Sequence, residues 1–326
     1  MHASIQRRSA GPGHPCGYSI AGCARYSDGG TRTPAPRTTD GFYPVPPCRP
    51  PADVAQLCRG RFASDDVRAE ALSVASAAAH LYGWKAYDSG EQGLAQRYYL
   101  QSLALARASG VAGQDGFVMR TMSRQGMKLH RPEHCLALAE SGWERARGRV
   151  GQQVEALFAV THAHALAKTG QTRRALADVQ LAETALAARA EDEVPLWALV
   201  WGPPAATVHS RTAKVFETLG DRPNAAHQYA TAAASRPGAT YARITALDLV
   251  AQAEQQAKQG SIEQACTTWG CAIDTMAGVK STRTLKAVRS LRSGLRPYRP
   301  AAYGSRPSSM SAPASSSTTT TGPAGA

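Results

Sequence analysis

Five times between Leu81 and Ala277 the sequence passes through an apolar-periodic stretch, a turn residue and a second apolar-periodic stretch. The turn residues are Gly90, His130, Gly170, Gly220 and Gly260, spaced by 40, 40, 50 and 40 residues. A period in this range marks a helical solenoid, because one helix pair is too small to bury its apolar face alone and does so against its neighbours. Such an array is expected to bind rather than to catalyse. The periodicity predicts helix pairs at about 66–88 with 92–108, 114–129 with 132–147, 151–168 with 172–188, 205–218 with 222–235, and 240–258 with 262–276. Ser64, followed by Asp65 and Asp66, reads as the first helix start, and Pro132 suits an early helix position where no N–H is needed. The expected fold class is all-α: about five helix pairs plus terminal helices, with disordered ends.

Composition divides the chain into three. Residues 1–52 form a Pro/Gly-rich segment, and residues 1–51 hold nine of the twenty prolines. No period survives there, so disorder is expected, and a mis-assigned start or a lost upstream domain would account for it. Residues 53–300 form the repeat domain, and 301–326 form a Ser/Thr/Pro/Ala tail that is also expected to be disordered. The formal charge of +13 is unevenly spread. Residues 1–61 carry eight arginines and three acids, residues 280–326 eight Lys/Arg and no acid, and residues 62–279 have 21 of each sign. A nucleic-acid-binding array holds its cations on the folded surface in register with phosphates, so direct DNA binding is not expected of the neutral repeats.

The seven cysteines, at 16, 23, 48, 58, 135, 266 and 271, include no C-x-x-C pair. Cys135 and Cys266 occupy positions where small buried residues are expected, so packing is their expected role. No signal-peptide core and no apolar run of about 20 residues is present, which predicts a cytoplasmic protein without membrane contact. The ten-residue excess before the fourth pair holds Trp197 and Trp201, expected to pack between the third and fourth repeats. After the fifth pair, Leu285, Val288, Leu291 and Leu295 form a stripe flanked by Lys286, Arg289, Arg292 and Arg296. That pattern suits a capping helix, apolar inward and basic outward.

Four positions of each unit share a residue type. Seven before the turn stand Gly83, Ser123, Ala163, Ala213 and Ala253; five after it stand Ala95, Cys135, Ala175, Ala225 and Ala265. Nine after it come Tyr99, Ala139, Val179, Tyr229 and Trp269, and twelve after it Ser102, Gly142, Ala182, Ala232 and Ala272. Pro237 closes the fourth unit. This pattern resembles the tetratricopeptide repeat. The run from Gly83 to Arg107, with Met122–Gln125 and Arg131–Glu133, is similar to the C-terminal tetratricopeptide-like region of bacterial regulators that carry a phage-repressor-type helix-turn-helix. The likeness covers roughly residues 53–300 and implies a right-handed superhelix that dimerises or receives a peptide or protein signal. The helix-turn-helix itself has no counterpart here, since residues 1–52 are too short and too broken for a trihelical module.

No phosphate loop, H-E-x-x-H or G-x-S-x-G motif occurs. His162 and His164 diverge on a helix, and His130, His134 and Cys135 lack paired metal-ligand spacing. No enzyme, metal site or cofactor is expected. By the resemblance, residues ten, six and three before each turn line a concave groove. They include His80, Trp84 and Tyr87; Arg120, Arg124 and Met127; Val160, His164 and Ala167; Ser210, Lys214 and Glu217; and Val250, Glu254 and Ala257. Lys128 and Lys168 lie one position further round. The groove so inferred has an aromatic end at Trp84 and Tyr87 and a cationic middle at Arg120, Arg124, Lys168 and Lys214. It suits a peptide or protein partner with an apolar anchor and a carboxylate, which arginine pairs with by two hydrogen bonds. A homo- or hetero-oligomer with related regulators is a second implied partner. The alternative is a DNA-associated transcriptional regulator acting through its basic ends or a missing upstream helix-turn-helix.

Overall fold

The computed structural model describes residues 60–188, 193–199, 202–236, 240–279 and 282–295. The Pro/Gly-rich segment, the Ser/Thr tail, Cys16, Cys23, Cys48, Cys58, Trp201, Pro237 and Arg296 lie outside the described residues. Among those described there are twelve α-helices and no strand. They are α1 (Asp65–Ser89), α2 (Gln92–Ser109), α3 (Gln114–Lys128), α4 (Pro132–Ala146), α5 (Gln152–Lys168), α6 (Thr172–Ala187), α7 (Leu196–Leu199), α8 (Pro204–Leu219), α9 (Arg222–Ala234), α10 (Ala242–Lys258), α11 (Ile262–Thr275) and α12 (Thr282–Gly294).

Helices pack first within the pairs α1–α2, α3–α4, α5–α6, α8–α9 and α10–α11, and then pair on pair in chain order. Local chemistry sets the ends. Ser64 caps α1 by accepting from the Val67 N–H at 3.3 Å, with Asp65 and Asp66 in the first turn. Proline stands in the first turn of α4 and of α8, where its missing N–H costs nothing. All five aligned turn residues adopt positive φ: Gly90 at 94°, His130 at 57°, Gly170 at 79°, Gly220 at 84° and Gly260 at 90°. Among the described residues His130 is the one non-glycine in that conformation.

The twenty residues at the four shared positions are all buried. Small side chains let the paired helices approach. A Cβ on Gly83 would lie 2.6 Å from the Tyr99 ring, and one on Gly116 would lie 2.4 Å from the Gly142 carbonyl oxygen. Ser76 and Ser102, facing across α1 and α2, each donate to the other's backbone carbonyl, at 2.9 and 2.8 Å. These hydroxyls satisfy themselves in the contact, which a buried polar group requires.

The ten-residue excess builds α7. Trp197 is buried with its ring 5.2 Å from Phe117 and T-shaped to it, in a cluster that also holds Phe158, Leu157, Val208 and Ala77. Packing is therefore its role, but against α1 and α3 as well as repeats three and four.

The terminal helix caps the array in a rotated sense. Leu291 and Leu295 pack with Val250, Ala253, Trp269 and Ala272, whereas Leu285 is 60% and Val288 43% exposed. Thr284 and Ala287 complete the inward face in their place. Helix α12 packs on α10 and reaches α1, so the last helices of the array meet the first. At that seam Arg243 of α10 pairs with Asp88 of α1 at 2.5 Å, Arg283 of α12 approaches the same carboxylate at 3.5 Å, and the Arg243 guanidinium lies 4.5 Å over the Trp84 ring.

Candidate functional site

Inside this seam a cavity is lined by Trp84 and Tyr87 from α1, Tyr99 from α2, Thr121, Arg124, Gln125 and Lys128 from α3, Arg211 from α8, and Arg283 from α12. Its empty volume is about 390 Å3, part of it open to solvent. Five helices thus contribute, α1, α2 and α3 with α8 and α12, and four of the nine lining residues are cations.

The predicted groove residues fall into three groups. Trp84, Tyr87 and Arg124 do line the cavity. His80, Arg120 and Met127 are buried in the wall behind it instead. His80 sits between Tyr99 and Phe117, with ring centroids 5.5 and 5.6 Å away, and its Nε2 is 2.9 Å from the Thr121 hydroxyl. Because Thr121 donates to the Phe117 carbonyl at 3.2 Å, Nε2 of His80 carries the proton and Thr121 accepts. Met127 packs with Cys135, Ala139 and Ala165. The third group stands apart: Lys168 is exposed, and Lys214 binds Glu217 at 2.6 Å with its ammonium 5.3 Å from the Tyr229 ring. Glu217 also accepts from the Tyr229 hydroxyl at 2.6 Å. Burial works to raise the Glu217 carboxyl, but Lys214 and the Tyr229 hydrogen bond outweigh it and hold it below the usual range.

The reason for the mismatch is a rotation of about one residue. The positions ten before the turn, His80, Arg120, Val160, Ser210 and Val250, are all buried. One residue on, about 100° round the helix, Thr121 and Arg211 face the cavity. Arg211, Arg283, Tyr99, Thr121 and Gln125 were not among the groove residues inferred from the sequence. Moving the groove stripe to nine before the turn would have found Thr121 and Arg211; nothing local points to Arg283, which arrives from the far end of the chain.

The electrostatics are one-sided. Arg120 is 1% exposed; its Nε donates to the Leu157 carbonyl at 2.8 Å and its guanidinium lies 5.0 Å over Phe117. Its Nη1 and Nη2 donate no hydrogen bond among the described residues, and neither does Nε of Arg211. Burial, then the charge of Arg211, pushes Arg120 down to about 9. Burial followed by Arg211 and Arg120 depresses Arg124 strongly. Arg211 is lowered by burial, against the pull of Asp248. That acid already serves Arg236, with which it forms a buried ion pair, and the Ser210 hydroxyl at 2.9 Å. His164 is buried, with neither ring nitrogen hydrogen-bonded among the described residues, and is held neutral by burial and by Arg211, Lys168, Lys214 and Arg124. Lys128 keeps an exposed outer surface, with its ammonium 5.1 Å from the Tyr87 ring. Loss of solvation, then Arg283, Arg211, Arg124 and Lys214, lowers it to about 7.

Cys135 is buried, with its thiol raised to about 11 by burial and its Sγ donating to the Arg131 carbonyl. Cys266 is exposed, contrary to the packing expectation; Ala265 takes the buried position. Among the described residues no group of three or more His, Cys, Asp and Glu is placed to hold a metal ion, and no helix is long and apolar enough to cross a membrane. A scan against protein-family models finds no match, and a search among curated proteins finds no significantly similar sequence.

Proposed function

We propose that this chain is a non-catalytic regulatory or sensory protein that takes the anionic part of a peptide or protein partner on the concave side of a tetratricopeptide-like array. One observation carries the reading: Arg124, Lys128, Arg211 and Arg283, from three helices, converge on one cavity. Cations gathered in a partly desolvated site repel one another and are stabilised by an anion. The aligned turns and the shared buried positions support the repeat architecture, and the run from Gly83 to Arg107 supports kinship with the repeat region of helix-turn-helix regulators. A cytoplasmic location and pairing with related regulators belong to the same proposal.

The test is capture of a partner by the full chain and by the double variant Arg124→Gln, Lys128→Glu, with circular dichroism to confirm the fold. A partner held by the parent and lost by the variant supports the reading. The same partner held equally by both overturns it.

A second reading, a DNA-associated regulator, is favoured by Lys286, Arg289 and Arg292, all exposed on α12. It requires affinity for DNA that falls steeply with salt and shows no sequence preference. No binding at low salt sinks it.

A further inference from the structure

We propose that the cations lining the cavity, Arg124, Lys128, Arg211 and Arg283, form a binding site for a phosphate or diphosphate group. The proposal rests on the anion-binding reading of the cavity and narrows it to the group that is bound.

Three observations lead there. The first is unmet hydrogen-bonding capacity. Arg211, which lines the cavity, has a buried guanidinium Nε that donates to nothing among the described residues, and Arg120 in the wall behind has two such nitrogens. A buried cation whose donors are unmet is costly unless an anion completes it. Guanidinium forks match phosphate oxygens in pairs, and a tetrahedral oxyanion accepts from several at once.

The second is the count of charge. Four of the nine lining residues are cations and none is an acid; Asp248, which draws on Arg211, is paired with Arg236 and Ser210, and Arg283 shares Asp88 with Arg243. A carboxylate carries one negative charge. A phosphate monoester carries about 1.5 to 2, and so neutralises more of the cluster in one place.

The third is the state of the aromatic end. A peptide anchored by an apolar side chain needs an open aromatic face. Trp84 is 9% exposed, with the Arg243 guanidinium over its ring, and the Lys128 ammonium stands over Tyr87. Those faces are already occupied by cations. The rest of the lining is Tyr99, Thr121, Gln125 and the cations themselves.

The phosphate has two sources, a small phosphorylated molecule or a phosphorylated side chain of a partner. Isothermal titration of the full chain at fixed ionic strength separates them, using pyrophosphate, a phosphoserine peptide, the same peptide with glutamate in place of phosphoserine, and sulfate. Saturable binding of pyrophosphate or the phosphoserine peptide, at least about tenfold tighter than sulfate and the glutamate peptide, is expected, and the tighter of the two names the source. Arg211→Gln and Arg124→Gln each weaken it by about tenfold or more. Arg120→Met, in the wall behind the cavity, raises the melting temperature of the ligand-free protein, because it removes a buried charge with unmet donors, and lessens the rise that pyrophosphate or the phosphoserine peptide gives the parent. Arg211→Lys, which keeps the charge and loses the fork, falls between. Glutamate-peptide binding that equals or exceeds both phosphate probes and is lost in Arg211→Gln overturns the phosphate assignment and leaves the anion site standing. No saturable binding by any probe, or affinities unchanged by the arginine variants, overturns both.

Discussion

Arg243 and Asp88 are 155 residues apart in sequence and 2.5 Å apart in the fold. The pair joins the tenth helix to the first, with Arg283 of α12 on the same carboxylate at 3.5 Å. The side chains of Arg243 and Asp88 are 7% and 18% exposed, so the ion pair is shielded but not sealed. It closes the array around the cation-lined cavity, and Arg243 at the same time covers Trp84.

Asp88→Asn should therefore cost about 2 kcal/mol, since it leaves two cations at the seam without their carboxylate. Urea unfolding reads the loss. Hydrogen exchange should rise most in α12, which is held by few other contacts; uniform exchange across the array would show that the seam does not latch it.

Gly116→Ala should destabilise by about 2 kcal/mol or more, because its Cβ would meet the Gly142 carbonyl oxygen at 2.4 Å and helix backbones have little room to yield. Gly93→Ala is the control. Its Cβ would meet nothing within 4 Å and α2 is helical there, so a gain of about 0.5 kcal/mol is expected. Equal effects at the two sites would remove the close α3–α4 approach as the cause.

His130 takes the left-handed conformation that glycine takes in the other four aligned turns, at φ 57°. It is exposed, so its side chain contributes no packing. His130→Gly should stabilise by about 1 kcal/mol in denaturant titration. A loss of stability would mean that the imidazole makes a contribution the turn geometry does not explain.

Acid should weaken the fold through His80. Its pKa is pushed from 6.5 down to about 3 by burial first and then by Arg120 and Arg124. The unfolded chain binds the proton and the folded one does not between those values, so the stabilisation present above pH 6.5 is lost as pH falls toward 3. By pH 5 the loss from this group is about 2 kcal/mol. His164, lowered in the same direction, adds to it. His80→Gln, which still reaches Thr121, should flatten the slope of stability against pH in that window; an unchanged slope would assign it to other groups.

Asp248→Asn should cost about 3 kcal/mol or more. Its partner Arg236 has a side chain 3% exposed and would be left charged and buried, holding, among the described residues, the Ala232 and Ala206 carbonyls. The double change Asp248→Asn, Arg236→Met should recover part of the loss, and failure to do so would mean that Asp248 acts chiefly through Ser210 or Arg211.

Helix ends and pairing were legible because they depend on neighbours in sequence. A glycine or His130 at each turn, a small residue five later, and Ser64 or Pro132 at a helix start act within one or two turns of chain. Every one of the twenty shared positions is buried as their residue types predict. The candidate site was legible only in part. Trp84, Tyr87 and Arg124, expected together on one face, all line the cavity, because a stripe along one helix is a property of that helix.

The rotation of that stripe and the arrival of Arg283 in the same cavity as Arg124 depend on how successive pairs are turned against one another. Small angles at each interface accumulate along the array, and their sum decides that α12 reaches α1. No local pattern encodes that sum. The sequence by itself thus determined an all-helical chain with helices paired about marked turns. Only the tertiary structure decided that Arg243 and Arg283 meet Asp88, and so where the buried cations gather.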